Sequence, residues 1–199
     1  MHSYQGLVTT GVAGSGKSTL STYLVKMIPG SVFIENSEAV VKPILQIKDL
    51  PDSVDEYIQQ ILELSGNNVS LHLDRDEIRS IYKDITNKYG RDLIGKIDLA
   101  LYKRRYEGEF AIISGMRGYY NNVFLQKNNF MIVYIDTPKE VAITRLATHR
   151  NMSKQEAEHD IDEEGNIYIT EKIKTIADLV ISGEQSVEEI AKLVLEKVL

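Results

Sequence analysis

Nine consecutive residues carry the most specific chemistry in the chain. Gly11-Val12-Ala13-Gly14-Ser15-Gly16-Lys17-Ser18-Thr19 fits the pattern G-x-x-x-x-G-K-[ST] at every fixed position. Glycines at this spacing let successive backbone N–H groups turn inward around phosphate oxygens. A helix starting at the end of the loop adds its partial positive charge. Lys17 is expected to face solvent and reach the β- and γ-phosphates, and the Ser18 hydroxyl to take a place on Mg²⁺. The expectation is a nucleoside triphosphate site, with ATP and Mg²⁺ as the bound groups.

A second set of residues bears on what happens to the triphosphate. Arg79, Arg117, Arg145 and Arg150 recur at strand ends and on nearby helices. Transfer between two phosphate-bearing ligands needs several cations at one point, because the transition-state charge spreads over the phosphoryl oxygens. Arg117 stands apart, since it follows the apolar run Phe110-Ala111-Ile112-Ile113 and the turn Ser114-Gly115-Met116. The candidate carboxylates are Glu35, Glu38, Asp74 and Asp76, and the sequence leaves the choice among them open. Tyr119 and Tyr120 either stack on a base or pack in the core. A guanine-reading N-K-x-D motif is missing, because Asn87-Lys88-Tyr89-Gly90 lacks the aspartate.

These residues need a scaffold that brings them to one rim. Leu7-Val8-Thr9-Thr10 reads as a buried strand before the glycine loop, and Leu20, Tyr23, Leu24 and Met27 follow at helical spacing until Pro29-Gly30. Val32-Phe33-Ile34, the run at 110–113, Met131-Ile132-Val133-Tyr134-Ile135 and Ala177-Asp178-Leu179-Val180-Ile181 read as further strands. Val69, Leu71 and Leu73 alternate as another short strand would. Helices are expected after Ser53, Asp74, Ser153 and Ser186, each followed three residues later by a glutamate that completes a capping box. A helix from about Asp92 to Tyr102 and one opening at Pro138 complete the alternation. Alternating strands and helices give an α/β fold of three layers, a parallel sheet with helices on both faces. Ligands then sit beyond the carboxyl ends of the strands. One domain is expected over 1–199, with 31–68 as an insertion or acceptor-binding subdomain and about 147–170 as a short lid.

Composition sets outer bounds. The chain has 199 residues, 43% hydrophobic and 26% charged, a net charge of −6 and no cysteine. That charge disfavours a general nucleic-acid binder, and the absence of cysteine excludes disulfides and thiolate metal sites. No apolar run has the length of a membrane span, and residues 1–6 carry no signal-peptide pattern. A cytoplasmic protein without nucleic-acid or membrane partners is expected, of undetermined oligomeric state. His2, His72, His149 and His159 show no ligand spacing.

Outside 31–68, the chain resembles the adenylate-kinase-like branch of P-loop small-molecule kinases. Asp76-Glu77-Ile78-Arg79 is similar to the D-x-x-R of nucleoside monophosphate kinases, and Ile113-Ser114-Gly115-Met116-Arg117 to their D-G-x-x-R or D-G-x-R segment. Residues 136–181, with Arg145-Leu146, resemble dephospho-coenzyme A kinases. The resemblance implies a P-loop NTPase fold and phosphoryl transfer from ATP to a small phosphorylated acceptor. That acceptor is a nucleoside or deoxynucleoside monophosphate, or alternatively dephospho-coenzyme A. Lys17, Arg117, Arg145 and Asp76 would act in transfer, Asp76, Arg79 and Arg117 at the acceptor, and Arg145 and Arg150 from the lid. Three departures stand out: Ser114 replaces the usual strand-end acid, Ser37 replaces the acid expected two residues after Glu35, and Arg145 and Arg150 are five apart, one more than the usual lid spacing. A nucleotide-binding sensor with little catalytic activity is the reading of another class that Ser114 supports.

Overall fold

The computed structural model describes residues 4–66 and 75–198. Five parallel strands form its centre: β1 (Gly6–Thr10), β2 (Ser31–Glu35), β3 (Phe110–Ser114), β4 (Phe130–Asp136) and β5 (Leu179–Ser182). Their order across the sheet is β2-β3-β1-β4-β5. The central strands are buried on both faces, which is why they read as continuous apolar runs and not as alternating ones.

Strand periodicity sends alternate residues to two separate cores. Val8, Ala111, Ile113, Ile132 and Tyr134 pack on one face with helices α3 (Val54–Leu64), α4 (Arg75–Tyr89), α5 (Leu93–Arg105) and α6 (Tyr119–Lys127). Leu7, Ile112, Met131, Val133 and Ile135 pack on the other. There they meet α1 (Lys17–Met27) and α10 (Val187–Val198). Those are the three layers the alternation implies. A third, smaller cluster joins Ala13 of the glycine loop to α7 (Lys139–Arg150) and α8 (Lys154–Tyr168). These two helices form a hairpin over the rim, turning at Asn151 in the left-handed conformation.

Residues 31–66 do not make a body of their own. β2 is an edge of the main sheet, and Val40, Ile44, Tyr57 and Ile61 share the core of β1 and β3. A π-helical turn over Ser37–Val41 and α2 (Lys42–Gln46), with Pro43 near its start, connect β2 to α3. The alternating stretch at 69–73, with Asp74 and the cap it would make with Glu77, lies outside the described residues.

Two helices go beyond the sequence expectation. In α6, Tyr-Tyr-Asn-Asn offers neither a cap signal nor strong helix formers. Its buried asparagines supply local anchors: Asn121 Oδ1 accepts from the Gly95 amide at 3.1 Å and Asn122 Nδ2 donates to Gly118 O at 2.9 Å. The other is a single turn, α9 (Thr170–Ile173), entered through Ile169 at positive φ. β5 starts at Leu179, two residues later than its apolar run, because the Asp178 carboxylate takes the Ile132 amide at 2.7 Å.

Candidate active site

The glycine loop joins β1 to α1 and lines a cavity of about 830 Å³ at the carboxyl edge of the sheet. Two of its glycines are required by geometry. At Gly14, with φ 79°, an added Cβ would sit 2.4 Å from the Ala142 carbonyl of α7. At Gly16, with φ 95°, it would project into open space, which leaves the approach to the α1 N-terminus clear for a phosphate.

Lys17 is not turned to solvent. Only 7% of it is exposed, and its Nζ donates to Gly11 O at 3.0 Å, Val12 O at 2.7 Å and Ser15 Oγ at 3.4 Å. The reason is economy of charge: a cation enclosed by the loop takes the nearest carbonyls as partners. Burial, reinforced by the neighbouring Arg117, lowers its pKa to about 7, while Glu164 and Glu35 oppose the shift.

The arginines converge. Arg75, Arg79, Arg117, Arg145 and Arg150 all line the cavity. Arg75 was not among the sequence candidates, nor were the acids that meet the cluster. Asp160 and Glu164 of α8 are each only 6% exposed. Arg79 Nη2 donates to Asp160 Oδ1 at 2.9 Å, Arg75 also bonds Asp160, and Arg150 lies 3.4 Å from it. Glu164 receives Arg117 and lies 3.3 Å from Arg75. Four guanidinium groups thus face three carboxylates, Asp160, Glu164 and the exposed Asp76 on Arg79, leaving excess positive charge next to Lys17. Arg145 is held differently, donating to the Gly183 carbonyl at 2.8 Å. Asp160 and Glu164 were legible in principle: they share the helical stripe of Ala157, Ile161 and Tyr168, where an acid is out of place.

Among the described carboxylate candidates, Glu35 is the one that lines the cavity. It ends β2 directly opposite Ser114 in the β2–β3 register. Glu38 is exposed and pairs with Lys42 at 2.5 Å. The Asp76 side chain is 91% exposed, absent from the cavity wall, and bonded to Arg79 Nη1 at 2.9 Å. That position suits steadying Arg79, not contact with a reacting group. Ser114 is fully buried with its Oγ 3.5 Å from Ser18 Oγ. Asp136, at the end of β4, is engaged by Lys174 at 2.7 Å. Ser18 and Glu35 line the cavity and the Ser114 hydroxyl lies beside Ser18, which offers oxygens of the kind that hold Mg²⁺.

Tyr119 packs against the core and Tyr120 lies exposed beneath Arg91, so neither belongs to the cavity wall. One further acid escaped the sequence reading. Asp98 on α5 is fully buried, and Asn36, the residue after Glu35, donates to it at 2.8 Å. Burial pushes the Asp98 carboxyl well above the usual range, against the pull of that hydrogen bond.

No protein family and no curated protein matches the sequence. Solved structures do match over nearly the whole chain. Shikimate kinase from Aquifex aeolicus is 22% identical, over 96% of this chain and 94% of its own, with a TM-score of 0.53. A gluconokinase from Sinorhizobium meliloti is 16% identical, over 99% and 93%, with a TM-score of 0.55. Shikimate kinase from Acinetobacter baumannii, solved with shikimate, is 16% identical over 96% and 90%, with a TM-score of 0.54. At these identities the likeness is one of architecture: the chain has the α/β fold of P-loop small-molecule kinases.

Proposed function

We propose that this chain is an ATP- and Mg²⁺-dependent phosphotransferase acting on a small phosphorylated acceptor. The observation that carries the reading is the gathering of Arg75, Arg79, Arg117 and Arg150 on one cavity wall with Lys17. Residues from α1, α4, α7 and the loop after β3 meet there, and a surface ion-pair lattice has no need of a glycine loop at its centre. ATP supplies the phosphoryl group and Mg²⁺ neutralises part of its charge. The loop amides and Lys17 hold the donor phosphates, and Ser18 with Glu35 holds the metal ion. Arg79 and Arg117 exchange their carboxylate partners on α8 for the acceptor phosphate, while Arg145 and Arg150 act from the hairpin. A phosphate acceptor oxygen is already anionic at neutral pH, so no strong general base is required. That fits the serine at position 37.

Nucleoside and deoxynucleoside monophosphates and dephospho-coenzyme A, the acceptors that the sequence resemblance brings forward, form the first assay panel. Coupled ADP release with each of them, in the full chain and in Arg117→Ala, tests the reading. Acceptor-dependent release that falls on the order of 10²-fold in the variant supports it. Little release with any acceptor favours a nucleotide-binding sensor instead.

A further inference from the structure

One face of α4 runs along the cavity. Arg75, Ile78, Arg79, Ile81, Tyr82 and Ile85 all line it, at the spacing of a single helical stripe. The stripe changes character along its length. Its first turns present Arg75 and Arg79, bonded to Asp160. Beyond Arg79 it presents only aliphatic carbon and the Tyr82 ring, whose hydroxyl is 3.5 Å from Asn121 Nδ2. Val41, Ile44, Leu45 and Ile94 complete this apolar end. The polar lining residues come from elsewhere: the glycine loop, the ends of β2 and β3, α7, α8 and the opening of α4. Among the described residues, no charged or amide side chain lines the cavity from α4 beyond Arg79, from α2 or from α5.

We infer that the acceptor is a monophosphate with a hydrocarbon body, its phosphate among the arginines and its body lying along α4 from Ile78 to Ile85. The inference rests on the phosphotransferase reading above and narrows it. Charge complementarity places the anionic end beside Lys17. The eight residues of helix from Ile78 to Ile85 give the body a track of about 10 Å. A nucleobase in the same place would bury ring nitrogens and exocyclic groups without partners, a penalty that a hydrocarbon avoids. The open aliphatic wall is in turn desolvated only by an apolar ligand.

The test is a chain-length series. The full chain with Mg²⁺ and ATP is given n-butyl, n-hexyl and n-octyl phosphate beside nucleoside monophosphates, and ADP release is followed. Each buried methylene is expected to raise kcat/KM about fourfold, so hexyl should exceed butyl phosphate by about fifteenfold. Binding of the same phosphates, in the presence of a non-hydrolysable ATP analogue, is measured by calorimetry and should climb in parallel. Ile81→Asn should flatten both series while ATP affinity stays unchanged. Turnover of nucleoside monophosphates with a flat alkyl series overturns this inference and leaves the phosphotransferase reading intact. A rising binding series without turnover of any acceptor does the reverse. Flat binding without turnover overturns both.

Discussion

Lys17 and Glu35 decide how the site meets its ligands. With a pKa of about 7, the Lys17 amine is mostly neutral at pH 8 in the ligand-free protein. Triphosphate oxygens favour its charged form, so nucleotide binding at pH 8 should take up about one proton, and binding by Lys17→Met should take up none. Calorimetry in buffers of different ionisation enthalpy measures this; a buffer-independent heat would contradict it. On the proposed reading, Glu35, opposite Ser114 in register, would supply the negative charge that the serine lacks. Glu35→Gln should therefore raise the half-saturating Mg²⁺ concentration, whereas Asp136→Asn, whose carboxylate is taken by Lys174, should leave it unchanged. A shift in the second variant alone would move the metal to β4. Asp98 offers a stability test with a definite sign. In the unfolded chain it ionises at the ordinary value, while in the folded chain burial favours the protonated form. The unfolded state thus binds fewer protons as pH rises above about 4, and wild-type stability falls relative to Asp98→Asn. Denaturant midpoints at pH 4.5 and 7.5 should show the variant's relative advantage growing with pH; a constant difference would rule this out.

Elements differ in how plainly the sequence announces them, and the difference has physical causes. α3, α8 and α10 begin where Ser53, Ser153 and Ser186 stand three residues before a glutamate, because the serine hydroxyl takes a free amide in the first turn. For α8 the box is complete, with the Ser153 amide also donating to Glu156 Oε2 at 2.7 Å. Ser153→Ala should cost about 1 kcal/mol of stability, read as a lowered denaturant midpoint. α6 gave no such signal, since its helix is fixed by the tertiary bond from the Gly95 amide to Asn121 and by the Asn122 bond back to Gly118. The arginine cluster was half legible. Arg79 and Arg117 follow from motif and strand-end position, but Arg75 and the two acids of α8 meet only because the hairpin folds back over α4. Proximity of that kind is not written in local spacing. Lys17 illustrates the converse: its identity is fixed by the motif, while its enclosure depends on the loop carbonyls around it.

At the scale of the molecule, charge is segregated. The chain carries a net −6, yet its cavity gathers Lys17 and five arginines against Glu35 and Glu164 on the same wall. A field of that kind attracts anionic ligands and is screened by salt. The sheet order β2-β3-β1-β4-β5 makes the segregation possible, because it sets the ends of β1, β2 and β3 side by side. Among the described residues no helix is long and apolar enough to cross a membrane. The central claim is that this rim moves a phosphoryl group, and transfer of the label from γ-³²P-ATP measures it most directly. With Mg²⁺ and the combined panel of nucleoside monophosphates, dephospho-coenzyme A and alkyl phosphates, the full chain should yield a labelled acceptor product, and Lys17→Ala, with its fold confirmed by circular dichroism, should yield none. Equal labelling by both proteins, or no labelled product from the wild type with any acceptor, would contradict the account.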